Sequence, residues 1–359
     1  MSEIEGFWAV VPAGGSGTRL WPVSRATSPK FLHDLTGSGR TLIQATVDRL
    51  RPLAGQRVLV VTGARHVDAV ARQVPELDSD HVLAEPSPRD SMAAIAWAAA
   101  VLEARDADAV LGSFAADHVI DGEAEFRAAV TEAVAVARED YLVTIGIEPT
   151  HPSTGFGYIQ AGRQLPGFAT ACRARQFVEK PDAERAATYL ATGEFRWNAG
   201  MFVVRARVLL DLLQRWHPEL AAGARALAAA PDRRDEIWPT LEKIAIDHAV
   251  AEPAADEGLV AVVPGSFGWD DIGDFRSLAE LLPGDASNGV TTVGPGQVET
   301  VDSTGLVLTA SDRTIALVGV EDVVVVETHD AILVTTTDRA QDVKKIVQRL
   351  GDRGRDALL

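Results

Sequence analysis

Between Ala9 and Leu32 the chain reads AVVPAGGSGTRLWPVSRATSPKFL, an apolar run followed by Gly14, Gly15 and Gly17, then Arg19 and Lys30. Glycines let backbone N–H groups approach a phosphate chain and allow positive φ. The Gly-Lys-Ser/Thr ending of a Walker A loop is missing. Leu20 stands where a dinucleotide fingerprint would need its third glycine. Two cations around such a loop suit a triphosphate gripped along its length. Ala13, Ser16 and Thr18 complete the string that would wrap the phosphates.

Other residues have chemistry-bearing types at positions where a strand should end. Asp117 follows the apolar run Val110–Phe114. Glu179 and Lys180 precede Pro181, which is expected to end a strand and start a helix. Asn198 in WNAGMFV offers donor and acceptor on one amide. Gly157 in GFGYI would let backbone approach a ligand. Arg89, in EPSPRDS, follows the short run Val82–Glu85, and Asp90 and Ser91 are expected to cap the helix after it. His118, Cys172, the junction Trp216-His217-Pro218 and the pair Glu321–Asp322 read as structural. The eight histidines lack zinc-site spacing.

An α/β scaffold must position these groups. Runs at Phe7–Val11, Val58–Thr62, Val82–Glu85, Val110–Phe114 and Leu142–Ile147 read as buried parallel strands. Helical stretches at Leu42–Leu50, Ala64–Gln73, Met92–Ala104 and Ala124–Arg138 alternate with them. That succession predicts a doubly wound sheet with ligands at the carboxyl ends of its strands. Gly155–Ala161, Ala174–Phe177 and Trp197–Arg205 read as exposed or antiparallel strands, which makes the sheet mixed. Helices are expected at Arg207–Arg215, Pro218–Ala229, Glu236–Val250 and Asp274–Leu282, with a strand at Leu259–Pro264. PGDASNG, Pro283 to Gly289, is the expected domain break. It separates a catalytic domain, 1–285, from an all-β module, 286–359, whose six short Val- and Thr-rich runs could be rungs of a small solenoid. An amphipathic helix over Arg339–Leu350 closes the chain.

With 359 residues the chain has room for two cores. Its single cysteine excludes an internal disulfide and favours the cytoplasm. The acidic N-terminus does not read as a signal peptide, and Met92–Leu102 is too short to span a bilayer. Against 34 Lys and Arg stand 51 Asp and Glu, a balance of −17. Nucleic acid and membrane are therefore not expected as partners. Cations in a glycine loop carry more information in so acidic a chain.

GGSGTRLWPVSRATSPKFL resembles the signature of sugar-nucleotide pyrophosphorylases. Its RLWP–SR form is similar to the mannose-1-phosphate guanylyltransferase (GDP-mannose pyrophosphorylase) branch. EPSPRDSMAA, AADHVI, GFGYI, FVEKP, WNAGMFV and FGWDDIGDF follow in matching order, and the VVVVETHDAILVTTTDRAQDVKKIV tail is similar too. The resemblance implies a Rossmann-like nucleotidyltransferase fold with a left-handed β-helix-like module that supports a homodimer. It implies GTP and mannose 1-phosphate as substrates, GDP-mannose and pyrophosphate as products, and Mg²⁺ as cofactor. Asp117 and Asp271 would hold the metal, the latter matching the family's Trp-x-Asp, with Asp270 a departure. Glu179 would bind sugar hydroxyls, with Gly157 and Asn198 beside it, and Lys180 would meet the sugar phosphate. Arg19, Lys30 and Lys180 would carry the catalytic charge. Glu85 and Arg89 would lie near base and ribose, with Glu85 or a backbone carbonyl reading guanine. Family members often have Glu where Ser153 stands and Arg-Asn-Thr where this chain has Arg89, Asp90 and Ser91. The same chemistry with another nucleotide or hexose, or a non-catalytic sugar-nucleotide sensor, are the alternatives. About 70 residues after the boundary are too few for a cupin-type isomerase, so no isomerase activity is expected.

Overall fold

The computed structural model describes residues 3–15, 17–282 and 289–359. Its first eleven strands are β1 (Phe7–Ala13), β2 (Val58–Gly63), β3 (Val82–Glu85), β4 (Val110–Ser113), β5 (Val119–Asp121), β6 (Leu142–Ile147), β7 (Gly157–Gln164), β8 (Cys172–Val178), β9 (Phe195–Arg205), β10 (Val260–Gly265) and β11 (Gly268–Asp270). Nine of them form one sheet in the order β3-β2-β1-β4-β9-β6-β10-β8-β7. β3, β2, β1 and β4 run parallel, so their carboxyl ends share one edge. Four of the five expected parallel strands form this half; the fifth, β6, is separated from them by the antiparallel β9 and pairs parallel with β10.

Side chains alternate across a strand, and β1 shows why this half is buried on both faces. Phe7, Ala9 and Val11 pack with Ile43, Val47 and Val130, from the helices Leu42–Ala54 and Glu123–Ala137. Val10 faces the other way, with Ile95, Trp97 and Leu209 from the helices Asp90–Arg105 and Ala206–Trp216. Both faces need apolar residues, which explains the unbroken apolar runs in these strands.

The remaining strands make the sheet mixed. β9 lies antiparallel between β4 and β6. It is buried along most of its length, so the exposed alternative for Trp197–Arg205 does not hold. Asn198 near its start faces two glycines, Gly146 on β6 and Gly157 on β7. The sheet forks at that residue.

Three local expectations need correction. The helix expected over Glu236–Val250 is broken into short turns at 234–240 and a π-helical turn at Asp247–Ala251. Pro239 cannot donate the hydrogen bond a continuous helix would need. The helix Asp90–Arg105 starts without a side-chain cap. Ser91 Oγ instead accepts from Ile246 N at 3.0 Å, tying that helix to the turn before Asp247. The helix beyond Pro181 begins at Ala183, capped by Asp182 rather than started by the proline.

The C-terminal strands are β12 (Val290–Val293), β13 (Gln297–Val301), β14 (Gly305–Leu308), β15 (Thr314–Val318), β16 (Val323–Glu327) and β17 (Ile332–Thr336). β12, β14 and β16 stack parallel, β13 and β15 form a second parallel pair, and β17 returns antiparallel to β16. This is a left-handed β-helix-like coil closed by a hairpin, the rung arrangement that the six short runs suggested. The expected boundary segment falls on 283–288, outside the described residues.

The coil packs on its own chain. Leu306, Leu308, Val324 and Val326 share a core with Leu20, Trp21, Phe275 and Leu278. The signature string makes this joint. Trp21 Nε1 donates to Leu358 O at 2.7 Å. Arg25 grips the Asp330 carboxylate with two hydrogen bonds, at 2.8 and 2.5 Å. Such a fork is among the stronger charge-assisted contacts. No helix among the described residues is long and apolar enough to cross a membrane.

Candidate active site

The glycine loop leaves β1 at the carboxyl edge of the sheet. Gly15 has φ +88°. At Gly17, φ is +51°, and a Cβ there would lie 2.5 Å from Ser24 Oγ, so this position needs glycine on both counts. Gly14 and Gly15 face open space, and the exposed Arg19 follows in the 3-10 turn Thr18–Leu20. Ser16 lies outside the described residues. Ala13 is buried at the end of β1, its carbonyl accepting from Thr62 Oγ1 at 2.8 Å.

Asp117 and Asp271 meet in the same place because of a feature the sequence did not announce. β5 and β11 pair as a two-stranded antiparallel ribbon, with Val119 opposite Asp270. Asp117 enters the ribbon and Asp271 leaves it, so both carboxylates lie at one end. Together with the loop they line a cavity of about 340 Å³. Lys30 bridges them, with Nζ 3.0 Å from Asp117 Oδ2 and 2.5 Å from Asp271 O. Asp270 turns away and accepts from Ile272 N at 2.6 Å. Burial raises the pKa of its carboxyl.

The sugar-side candidates form a second cluster. Glu179 leaves β8 beside Gly157, where a Cβ would sit 2.5 Å from Glu179 Oε2 and 3.3 Å from Asn198 Cβ. Glycine at 157 is what lets Glu179 lie there. Lys180 Nζ donates to Glu179 Oε1 at 2.5 Å. Burial alone would lower the Lys180 ammonium, but Glu179, Asp247 and Asp271 outweigh it and raise the pKa. Lys180 holds φ +44°, and Ile272 beside Asp271 holds +43°. Non-glycine residues rarely adopt this region, and strain of this kind clusters at working sites.

Asn198 is committed within the protein. Its Oδ1 accepts from Thr144 Oγ1 and Gly200 N, both at 3.1 Å, and its Nδ2 donates to Asp247 Oδ1 at 2.7 Å. Sequence reasoning missed Asp247, whose carboxyl is pushed up to about 6 by burial and by the Glu179 charge. No motif surrounds it, and it reaches the cluster only because the expected helix is broken.

A ladder of rings joins the two clusters. His118 packs on Trp269 at 5.3 Å, Trp269 on Phe156 at 5.0 Å, and Phe156 on Trp197 at 5.1 Å. Each ring is within two residues of a site position: Asp117, Asp271, Gly157 or Asn198. His118 has the structural role expected of it. Burial lowers its pKa despite Asp117, and its Nδ1 accepts from Trp269 Nε1 at 3.2 Å.

Two nucleotide candidates lie outside the loop cavity. Glu85 ends β3 on the same sheet edge, its carboxyl pushed up to about 7 by burial. The Arg89 guanidinium is occupied by the carbonyls of Leu241 and Pro239, at 2.7 and 2.6 Å. It ties the loop after β3 to the 238–241 turn.

Among the described residues no three His, Cys, Asp or Glu converge as a ready metal cluster. The Asp117 carboxylate, which already pairs with the Lys30 ammonium, and the Asp271 carboxylate lining the same cavity suit a hard cation whose other ligands are phosphate oxygens and water.

A glycine loop on the carboxyl edge of a mixed sheet, two carboxylates at one end of a ribbon and a separate Glu179–Lys180–Asp247 cluster are the parts of a nucleotidyltransferase. The nucleotidyl transferase family model matches residues 8–288. A MannoseP isomerase/GMP-like beta-helix domain model matches 296–350. The chain is 40% identical over 356 residues to the xanthan biosynthesis protein XanB of Xanthomonas campestris pv. campestris (strain B100), covering 96% of this chain and 73% of that one. It is 38% identical over 361 residues to the mannose-1-phosphate guanylyltransferase of Escherichia coli (strain K12), covering 97% and 74%. A crystal structure described as mannose-1-phosphate geranyltransferase from Thermus thermophilus matches with TM-score 0.86 and 31% identity, over 96% of this chain and 99% of that one. The chain belongs to the mannose-1-phosphate guanylyltransferase (ManC-type) family of sugar-nucleotide pyrophosphorylases. It is an enzyme that joins a sugar 1-phosphate to a nucleoside triphosphate, forming a sugar nucleotide.

Proposed function

We propose that this enzyme converts GTP and α-D-mannose 1-phosphate into GDP-mannose and pyrophosphate. The observation that carries the reading is the ribbon-held pair Asp117 and Asp271, which lines the glycine-loop cavity while Asp271 also acts electrostatically on Lys180. A triphosphate on the loop would present its α-phosphorus to a sugar phosphate held at Lys180. The attacking oxygen is already ionised, so no strong base is needed. It would form the new O–P bond in line as the bond to pyrophosphate breaks. Positioning and charge neutralisation then supply the rate.

In this reading Gly14, Gly15, Gly17 and Thr18 cradle the phosphates, and Arg19 and Lys30 neutralise them. Lys180 fixes the sugar phosphate, and Glu179 takes sugar hydroxyls. Asn198 supports the same pocket through Asp247. Glu85 would accept the N1–H and N2–H donors of guanine from the carboxyl edge of the sheet. Arg89 shapes that end of the site by its backbone contacts. Asp117 and Asp271 would hold Mg²⁺, which when bound supplies positive charge to the phosphate oxygens.

Residues 1–285 would form the catalytic domain and 286–359 the β module, acting in the cytoplasm, where nucleoside triphosphates are found. Val301, Val318, Ile332 and Val334 leave 57%, 69%, 60% and 66% of their surface exposed on the β module. Such apolar exposure favours a homodimer, and a monomeric mass by light scattering at micromolar concentration would count against it. The test of substrate is pyrophosphate release with Mg²⁺, crossing four nucleoside triphosphates with mannose 1-phosphate and glucose 1-phosphate. Release confined to GTP with mannose 1-phosphate supports the reading, and release with another pair overturns its specificity.

A further inference from the structure

The cavity at the glycine loop has one wall that comes from far along the chain. Lys344, on the closing helix Val343–Asp352, lines it together with Arg19, Lys30, Asp117 and Asp271. That helix packs directly on the Thr18–Leu20 turn. We propose that Lys344 is a phosphate ligand, so that the C-terminal module completes the triphosphate site and grips the pyrophosphate portion in particular.

Three observations carry this. The first is charge. Three cations and two carboxylates line the cavity, but Lys30 is paired with Asp117. Without Lys344 the lining is neutral, and with it the lining is positive. Among the described residues Lys344 has no hydrogen-bond or ion-pair partner, whereas its neighbour Lys345 is paired with Asp342 at 2.6 Å.

The second is anchoring. The segment around Lys344 is tied to the elements that carry the site. Gln341 donates to Asp274, which caps the helix just beyond Asp271, and Arg276 pairs with Asp338. Trp21 and Arg25, within the signature string itself, hold Leu358 and Asp330. A long, flexible lysine is therefore presented from a fixed backbone.

The third is side. Lys180, the cation for the sugar phosphate, feels Asp271 electrostatically but does not line this cavity. Asp271 therefore shares the loop cavity with Lys344 while also acting electrostatically on Lys180. Transfer near the two carboxylates would leave the departing pyrophosphate on the loop side, where Lys344 and Arg19 wait. Charge grows on that group as the α-phosphorus bond breaks, and a positioned cation there lowers the barrier.

The test uses the full chain and rests on the reading above for the identity of the nucleotide and of the sugar phosphate. Wild type, Lys344→Met, Lys344→Arg and the control Lys345→Met are compared. The expected result for Lys344→Met is a rise of roughly tenfold or more in KM for GTP and in KM for pyrophosphate in the reverse reaction. KM for mannose 1-phosphate should stay within about twofold, Lys344→Arg should restore most of the loss, and Lys345→Met should match wild type. Calorimetric titration with pyrophosphate and Mg²⁺ should show the same roughly tenfold weakening in Kd for Lys344→Met. Equal pyrophosphate affinity in wild type and Lys344→Met overturns the proposal, whichever nucleotide proves to be the substrate. Loss shared equally by Lys344→Met and Lys345→Met also overturns it, because it would mark a general effect of helix charge.

Discussion

Replacing Gly157 with alanine adds a single methyl group at the point where both halves of the sugar-side cluster touch. That methyl carbon would lie 2.5 Å from Glu179 Oε2 and 3.3 Å from Asn198 Cβ. Ordinary contact distances are about 3.5 Å or more, so the Glu179 carboxylate must retreat by about 1 Å. Its side chain is only 10% exposed and its Oε1 is held by Lys180, so the retreat drags Lys180 with it. Asn198 cannot yield instead, because it is fixed by Thr144, Gly200 and Asp247. Gly157 has no positive φ, so the substitution acts through space and not through backbone strain. Misplacement of about 1 Å costs on the order of 10²-fold in rate, which is about 2.7 kcal/mol. Overpacking should also lower folding stability by about 1–3 kcal/mol. Initial-rate assays of pyrophosphate release, varying each substrate in turn, separate the effects. The expected loss falls in kcat/KM for mannose 1-phosphate, while KM for GTP changes by less than about twofold. Wild-type kinetics for the sugar phosphate, or a defect in GTP alone, would refute the placement of Glu179 in the sugar pocket.

Other perturbations read other parts of the site. The Asp247 carboxyl, pushed up to about 6 from an ordinary 3.8, keeps its proton longer in the folded state than in the unfolded state. Its relative stabilisation is therefore present below about pH 4 and lost as pH rises through 6, a swing of about 3 kcal/mol. Asp247→Asn, which keeps an acceptor for Asn198, should gain about that much over wild type in urea unfolding at pH 8 and gain little at pH 4. Equal stabilisation at both pH values would contradict the assignment. Asp117→Asn and Asp271→Asn should each lower kcat by roughly 10²–10³-fold and raise the Mg²⁺ concentration for half-maximal rate. Their double variant should be little worse than either single one, and fully multiplicative losses would separate the two carboxylates functionally. Arg25→Ala should loosen the β module and raise KM for GTP roughly fivefold in wild type but not in Lys344→Met. Equal effects in both backgrounds would break the proposed link between docking and Lys344.

The parallel half of the sheet was legible because β1, β2 and β4 are mostly buried on both faces and its helices are long enough to show their period. The glycine loop was legible because only glycine suits Gly17, where φ is positive and Ser24 sits close. The ribbon of β5 and β11 was not, since three residues per strand carry no periodicity. Yet that ribbon brings Asp117 and Asp271 together. Trp21 and Arg25 stood out in the signature string, but their work is to hold the C-terminal segment, a role that only tertiary contacts reveal. Arg89 shows the reverse case. The resemblance places it near base and ribose, while its guanidinium is occupied by two backbone carbonyls. Asp247 and Lys344 had no signal at all, because a lone acid in a broken helix and one lysine on a charged helix look like solvated surface.

Every role assigned to these residues presupposes nucleotidyl transfer, in which the sugar phosphate oxygen attacks the α-phosphorus and pyrophosphate leaves. A radiolabel followed from substrate to product decides the point. With Mg²⁺ and mannose 1-phosphate, GTP labelled at the α-phosphorus should place all of its converted label in GDP-mannose, and GTP labelled at the γ-phosphorus should release it only as pyrophosphate. Label from the γ-phosphorus in orthophosphate or on the sugar, with GDP as the nucleotide product, would contradict the account.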